Sequence, residues 1–172
     1  MNKKQFNEIK ERLEKYREKN LTYENQQEKF LGNVFEKVSE YFRAKDDLER
    51  VDALCDIAIF YLNSFDIKYD NQKFLMTDDI NIHSVINRSY NMINIVSIRT
   101  CSVNSNGYSF IAMLENFFNN LGFDFYKCML QTIKEIESRT GKYDEKLKKF
   151  IKDTSDEAKA KWYKADYESC RL

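Results

Sequence analysis

The 172-residue sequence predicts an all-α protein: an antiparallel helix bundle with a four-helix core, about six helices in all, and a partly irregular C-terminal appendage. Three observations predict it. Proline is absent and glycine occurs four times, so the punctuation that strands and tight turns require is scarce. Apolar residues recur at helical spacing in segment after segment. The connection "AKDD" between two such segments is short enough that the helices it joins should lie antiparallel. The length suits one domain with an appendage, which we divide as residues 1–141 and 142–172, and 42% hydrophobic residues supply a sizeable core.

The elements follow in order. Phe6, Ile9, Leu13 and Tyr16 form a narrow apolar stripe on a charged first helix. Asn20 to Thr22 breaks it, and a second helix is expected from about Glu24 to Ala44, with Phe30, Leu31, Val34, Phe35, Val38, Tyr41 and Phe42 as its apolar residues. Asp46 or Asp47 can cap a third, which continues to about Phe65 and is apolar on nearly every side, so it should be central. Residues 66–80 have no clear period and read as a loop, either a lid or a docked connector. A fourth helix is expected near 81–99, built on Ile82, Val85, Ile86, Ile93 and Val96, and "CSVNSNG" reads as a turn after it. A fifth should run from about Ser109 to Leu121 and stop at Gly122, and a sixth from about Asp124 to Arg139. The tail changes character: "KYDEKLKKFIKD" reads as basic and irregular, and Ser155 looks like a cap ahead of the segment that carries Trp162, with Ala158 and Ala165 beside it as a packing face.

Composition excludes several classes. Lys plus Arg and Asp plus Glu both number 28, and a net charge of zero argues against a general nucleic-acid binder. Cys55, Cys101, Cys128 and Cys170 show no CxxC spacing, and His83 stands alone, which argues against zinc. No apolar run is long enough to span a membrane. Met1 to Lys29 is densely charged and has no apolar h-region, which predicts no signal peptide and favours a reduced, cytoplasmic chain.

One feature conflicts with a purely structural role. The run "ERVDALCDIAIFYL" carries Asp52 and Asp56 inside its most apolar stretch. On a helix, Glu49, Asp52 and Asp56 fall within an arc of roughly 60° and span about 10 Å of axis. On the second helix, Glu36 and Glu40 share a face, and an antiparallel pairing would bring the two acidic faces together. Facing carboxylates repel one another, and burying them costs more still. A divalent cation, a Lys or Arg partner (Arg43, Arg50 or Arg88), or bound protons could relieve this. Hard oxygen ligands without His or Cys suit Mg²⁺ or Mn²⁺, and Mg²⁺ readily takes phosphate oxygens. A phosphate ester or anhydride is then the natural substrate class.

These residues resemble a known family. "FEKVSEYFRAKDDLERVDALCDIAIFYLNSFDI" is similar to the core of the MazG-like, all-α nucleoside triphosphate pyrophosphohydrolases, including relatives of phosphoribosyl-ATP pyrophosphohydrolase. The tail from Lys134 to Cys170 looks like the C-terminal part of phage-type members. The resemblance implies Mg²⁺-dependent cleavage between the α and β phosphates, giving a nucleoside monophosphate and pyrophosphate. It also implies a homodimer or homotetramer, in the host cytoplasm if phage-encoded. The family pattern is Glu-Glu-x-x-Glu followed by Glu-x-x-Asp. Here Lys37 stands in the second acidic place, so either Glu36 substitutes or a ligand is lost. Glu49-x-x-Asp52 matches literally, but the residues after Asp56, with Asn63 beyond them, match in a second register. The metal-ligand candidates are therefore Glu36, Glu40, Glu49, Asp52 and Asp56, with Glu36, Glu40 and Asp52 as catalytic candidates. Substrate phosphates would be met by Lys37, Arg139, Lys142, Lys148, Tyr163 and Lys164, with Asn63 as a further contact. The rival reading is a non-catalytic helical interaction protein in which Lys37 neutralises the acidic site.

Overall fold

The computed structural model describes residues 1–17, 22–71, 103–147 and 149–172. Helix α1 spans Lys3–Arg17, α2 Tyr23–Arg43, α3 Asp47–Ser64, α4 Val103–Asn120 and α5 Phe125–Ser138. Strands β1 (Gly141–Asp144) and β2 (Lys149–Lys152), the short helix α6 (Asp156–Lys159) and a 3₁₀ turn at Glu168–Cys170 complete the chain. The fold is all-α, with six α-helices among the described residues. The helix expected near 81–99 lies outside them, as do His83, Arg88, Cys101 and Lys148.

The helix starts follow local chemistry. Asn2 and Gln5 form a reciprocal capping box, each side-chain oxygen accepting the other's backbone N–H at 3.0 and 2.9 Å. Thr22 caps α2 through the N–H of Asn25, and Asp124 caps α5 through that of Lys127. Of the two candidate caps for α3, Asp46 is the one used: its carboxylate accepts from the N–H of Glu49 at 2.9 Å. Helix α4 ends in a Schellman motif, with Gly122 at φ +82° and the N–H of Phe123 returning to the Phe118 carbonyl. It begins earlier than the sequence predicts: Val103 to Gly107, read as a turn, is helical.

Helix α3 is central and packs against α1, α2, α4 and α5. It pairs antiparallel with α2: Gln27 reaches the Ser64 carbonyl at one end of the pair, and Lys37 meets Asp56 in the middle. Eleven residues of α3 are buried, and from α2 only Phe30, Val34 and Tyr41 join them. Phe35 and Phe42 remain 54% and 38% exposed on the outer face of α2. Phe6, Ile9 and Leu13 seat α1 on this core as the stripe predicts, and Arg12 ties it to α5 through both oxygens of Glu137. The start of the 66–80 loop is docked: Ile67 is buried, and Lys10 bonds both Asp66 and the Ile67 carbonyl.

The tail differs from the irregular, basic segment the sequence suggests. Residues 141–152 form an antiparallel hairpin in which Gly141 faces Lys152 and Asp144 faces Lys149. A side chain at Gly141 would come within 2.2 Å of the Ile151 carbonyl, so only glycine lets the strands close there. Beyond it, Tyr167 and Cys170 enter the same hydrophobic core as α3 and α5. Arg171 bridges to Phe123, and the N–H of Leu172 bonds the Gly122 carbonyl.

Candidate functional site

The α2–α3 hairpin presents Glu40, Glu49 and Asp52 toward one side, and the tail folds across from them; Asp56, one turn beyond Asp52, does not line the space between them. Between lies a cavity of about 700 Å³, walled by Glu40, Arg43, Asp46, Leu48, Glu49 and Asp52 on one side and by Glu135 and residues 164–168 on the other. Seven of the wall residues are acidic, against Arg43 and Lys164.

Most of these carboxylates are already engaged. Asp46 caps α3, and Glu49 accepts the N–H of Lys45 at 2.8 Å, so its local task is to close the turn that starts the helix. Glu135 accepts from Arg139 and from the N–H of Ala165. Asp166 accepts from Ser169, and Glu168 from Arg171.

The buried charge is relieved by Lys37. Its ammonium lies 2.8 Å from Glu40 Oε2 and 2.9 Å from Asp56 Oδ2, bridging the two helices. The side chain is 18% exposed, against 25% for Asp56. Burial works against this ammonium, but Asp56 and Glu40 outweigh it and raise its pKa above the ordinary lysine value. Two of the three candidate arginines have other partners: Arg50 pairs with Asp47, and Arg43 bonds the Ser39 carbonyl, while Arg88 lies outside the described residues.

Asp52 has no ammonium partner among the described residues. Tyr167 donates to its Oδ1 at 2.8 Å. Burial, followed by the negative charge of Asp56, raises its pKa above 3.8; the Tyr167 hydrogen bond and Lys37 pull the other way without cancelling the rise.

The other candidates are dispersed. Glu36 is exposed and is not part of the cavity wall. Asn63 is buried two turns beyond Asp56, also away from the wall. Of the proposed phosphate-binding residues, Lys164 lines the cavity. Arg139 is tied to Glu135 and lies over the Trp162 ring. Together with Lys142 it lines a second hollow of about 400 Å³ near the hairpin. Tyr163 donates its hydroxyl to Gln131 and carries Lys134 over its ring, both packing tasks. Lys152, on β2, is close enough to feel Arg139, Asp56, Lys37 and Glu135; burial and then Arg139 hold its pKa below the usual value.

Among the wall and backing residues that sequence reasoning missed are Tyr167, Glu135 and Thr132. Tyr167 follows Trp162 in the tail segment, but no period links position 167 to position 52. Glu135 and Thr132 sit on a helix whose apolar spacing was legible and whose polar face looked ordinary.

The donor set can be tested against a metal ion. Among the described residues, no three His, Cys, Asp or Glu side chains stand close enough together to hold one. The five carboxylates singled out in the sequence therefore do not form a preassembled cage. Mg²⁺ seldom needs one, since it commonly binds through one or two carboxylates and completes its shell with water and substrate phosphates. Glu40 and Asp56 offer such a pair, and the Lys37 ammonium shows that a cation fits between them. A hard cation at this pair would have to displace the Lys37 ammonium from Glu40 and Asp56.

No protein-family model matches the chain, and comparison with curated proteins and with solved structures also gives no match.

Proposed function

We propose that the chain is a Mg²⁺-dependent nucleoside triphosphate pyrophosphohydrolase, cleaving between the α and β phosphates. The observation that carries this reading is the convergence of Glu40, Asp52 and Asp56 from adjacent helices beside the 700 Å³ cavity. The cavity is strongly acidic, so a bare triphosphate would be repelled and the nucleotide must enter with its counter-cation. Glu40 and Asp56 would hold Mg²⁺ (Mn²⁺ also suits the donors), which would supply charge neutralisation of the triphosphate. Displaced from that pair, Lys37 has a phosphate within its natural chemistry, and Lys164 stands ready across the cavity. Asp52, held by Tyr167 and with raised proton affinity, is suited to orient the attacking water and accept its proton. We further propose a cytoplasmic homodimer or homotetramer, which light scattering would check.

A second reading has its own observation. The Lys37 bridge already neutralises Glu40 and Asp56 with no metal, as a non-catalytic helical interaction protein would require. One experiment separates the two. The protein is incubated with Mg²⁺ and a panel of common and modified nucleoside triphosphates, and pyrophosphate release is followed. Turnover that Asp52→Asn and Asp56→Asn each abolish supports the hydrolase; silence across the panel, with no thermal shift from Mn²⁺, supports the interaction protein.

A further inference from the structure

One side chain of the C-terminal tail touches an α3 carboxylate that lies 115 residues away in the chain. The Tyr167 hydroxyl donates to Asp52 Oδ1 at 2.8 Å and stands 2.9 Å from Thr132 Oγ1. Thr132 in turn donates to the Cys128 carbonyl at 2.9 Å. A continuous polar row thus runs from the α5 backbone to the α3 carboxylate. Its proton count is constrained. A phenol has one proton and a carboxylate only accepts, so the Tyr167 proton goes to Asp52. Thr132 must serve the Cys128 carbonyl and the phenol oxygen with its own single proton.

The row is enclosed, with Tyr167 7% and Thr132 4% exposed. Among the described residues, Tyr167 is the one hydrogen-bond donor to Asp52. Packing does not explain the hydroxyl. Phenylalanine would fill the same space in the core without placing a polar atom there.

We propose that Tyr167 is the positioning residue of Asp52. It ties back Oδ1 and thereby leaves Oδ2 for the water that attacks the phosphate, with Thr132 holding the phenol in turn. This rests on the pyrophosphohydrolase reading above, and it makes the tail part of the working site.

The test uses the full chain. Tyr167→Phe is expected to lower kcat by about tenfold or more, because misplacing a reacting group is costly, while KM stays within about twofold. The melting temperature should change little, and a crystal structure of the variant should show the Asp52 carboxylate rotated from its wild-type position. Thr132→Val should lower kcat in the same sense by a smaller factor, and Thr132→Ser should restore it. An unchanged kcat in Tyr167→Phe, or an unmoved Asp52, overturns the proposal. So does a loss of kcat that follows the loss of folded protein in both Tyr167→Phe and Thr132→Val, since that marks a packing role. A wild type that releases no pyrophosphate overturns the hydrolase reading and this inference with it. An active wild type indifferent to Tyr167→Phe overturns this inference alone.

Discussion

Lys37 and Asp52 carry opposite electrostatic burdens on adjacent helices. Lys37 gains from its partners, so its folded-state pKa is raised; its contribution to stability is present in full below pH 10.5 and fades as pH rises through the folded value. Replacing it with methionine keeps the packing stem and leaves Asp56 and Glu40 without a cation. The pair is partly exposed, so the cost should be about 1–2 kcal/mol, between the surface and buried extremes, measured by urea unfolding at pH 7. The same variant should show a larger Mn²⁺-induced thermal shift than wild type, because the competing ammonium is gone. Asp52 works the other way. Its raised pKa means that the folded state binds its proton more tightly than the unfolded chain does, so stability falls as pH rises from 3.8 through the folded value. Asp52→Asn should therefore stabilise the protein at pH 7, by about 0.5–2 kcal/mol, while abolishing turnover. That gain should shrink as the pH of the unfolding titration is lowered toward 3.8.

Helix boundaries show how far local chemistry reaches. Asp46 and Glu49 together close the turn between α2 and α3, so Glu49 is a structural residue wherever else it serves. Asp46→Ala should cost about 1 kcal/mol, read from the urea midpoint, without removing Glu40, Asp52 or Asp56 from the site. At the end of α4, Gly122 holds a backbone conformation that side chains resist, and Gly122→Ala should cost about 1 kcal/mol by the same measurement. Both sites were legible in the sequence, as a short acidic link and as a glycine after an apolar period. The β1–β2 hairpin was not. It is four residues long on each side, too short for a period-2 pattern to stand out among its charged residues. Its one local signal was Gly141, which reads equally well as a helix stop.

At the scale of the molecule, the last six residues act as a clasp. Tyr167 and Cys170 are buried, the Cys170 carbonyl accepts from Asp124 at the start of α5, and Arg171 lies over the Phe123 ring. Deleting residues 167–172 removes that burial and uncovers Phe123, so we expect a loss of about 3 kcal/mol or more, seen as a lowered melting temperature. The same deletion removes Tyr167 and Glu168 from the cavity wall. Cys55, Cys128 and Cys170 lie buried behind it as free thiols, and burial pushes the pKa of each one up, which keeps them as neutral packing groups.

Residue spacing alone was enough to read the helical class, the central place of α3, the α2–α3 hairpin and the acidic line upon it. Each depends on spacing within about twenty residues, where the helical period makes distance along the chain a measure of direction. Which cation answers those carboxylates becomes visible only once the helices are packed, since Lys37, Arg43 and Arg50 are all within reach of one short hairpin. Packing alone also brings Tyr167 to face Asp52. That contact joins elements 115 residues apart, and no periodicity carries information across such a separation. It depends on how the tail packs against α5 and α3, which is set by the shape of the assembled core.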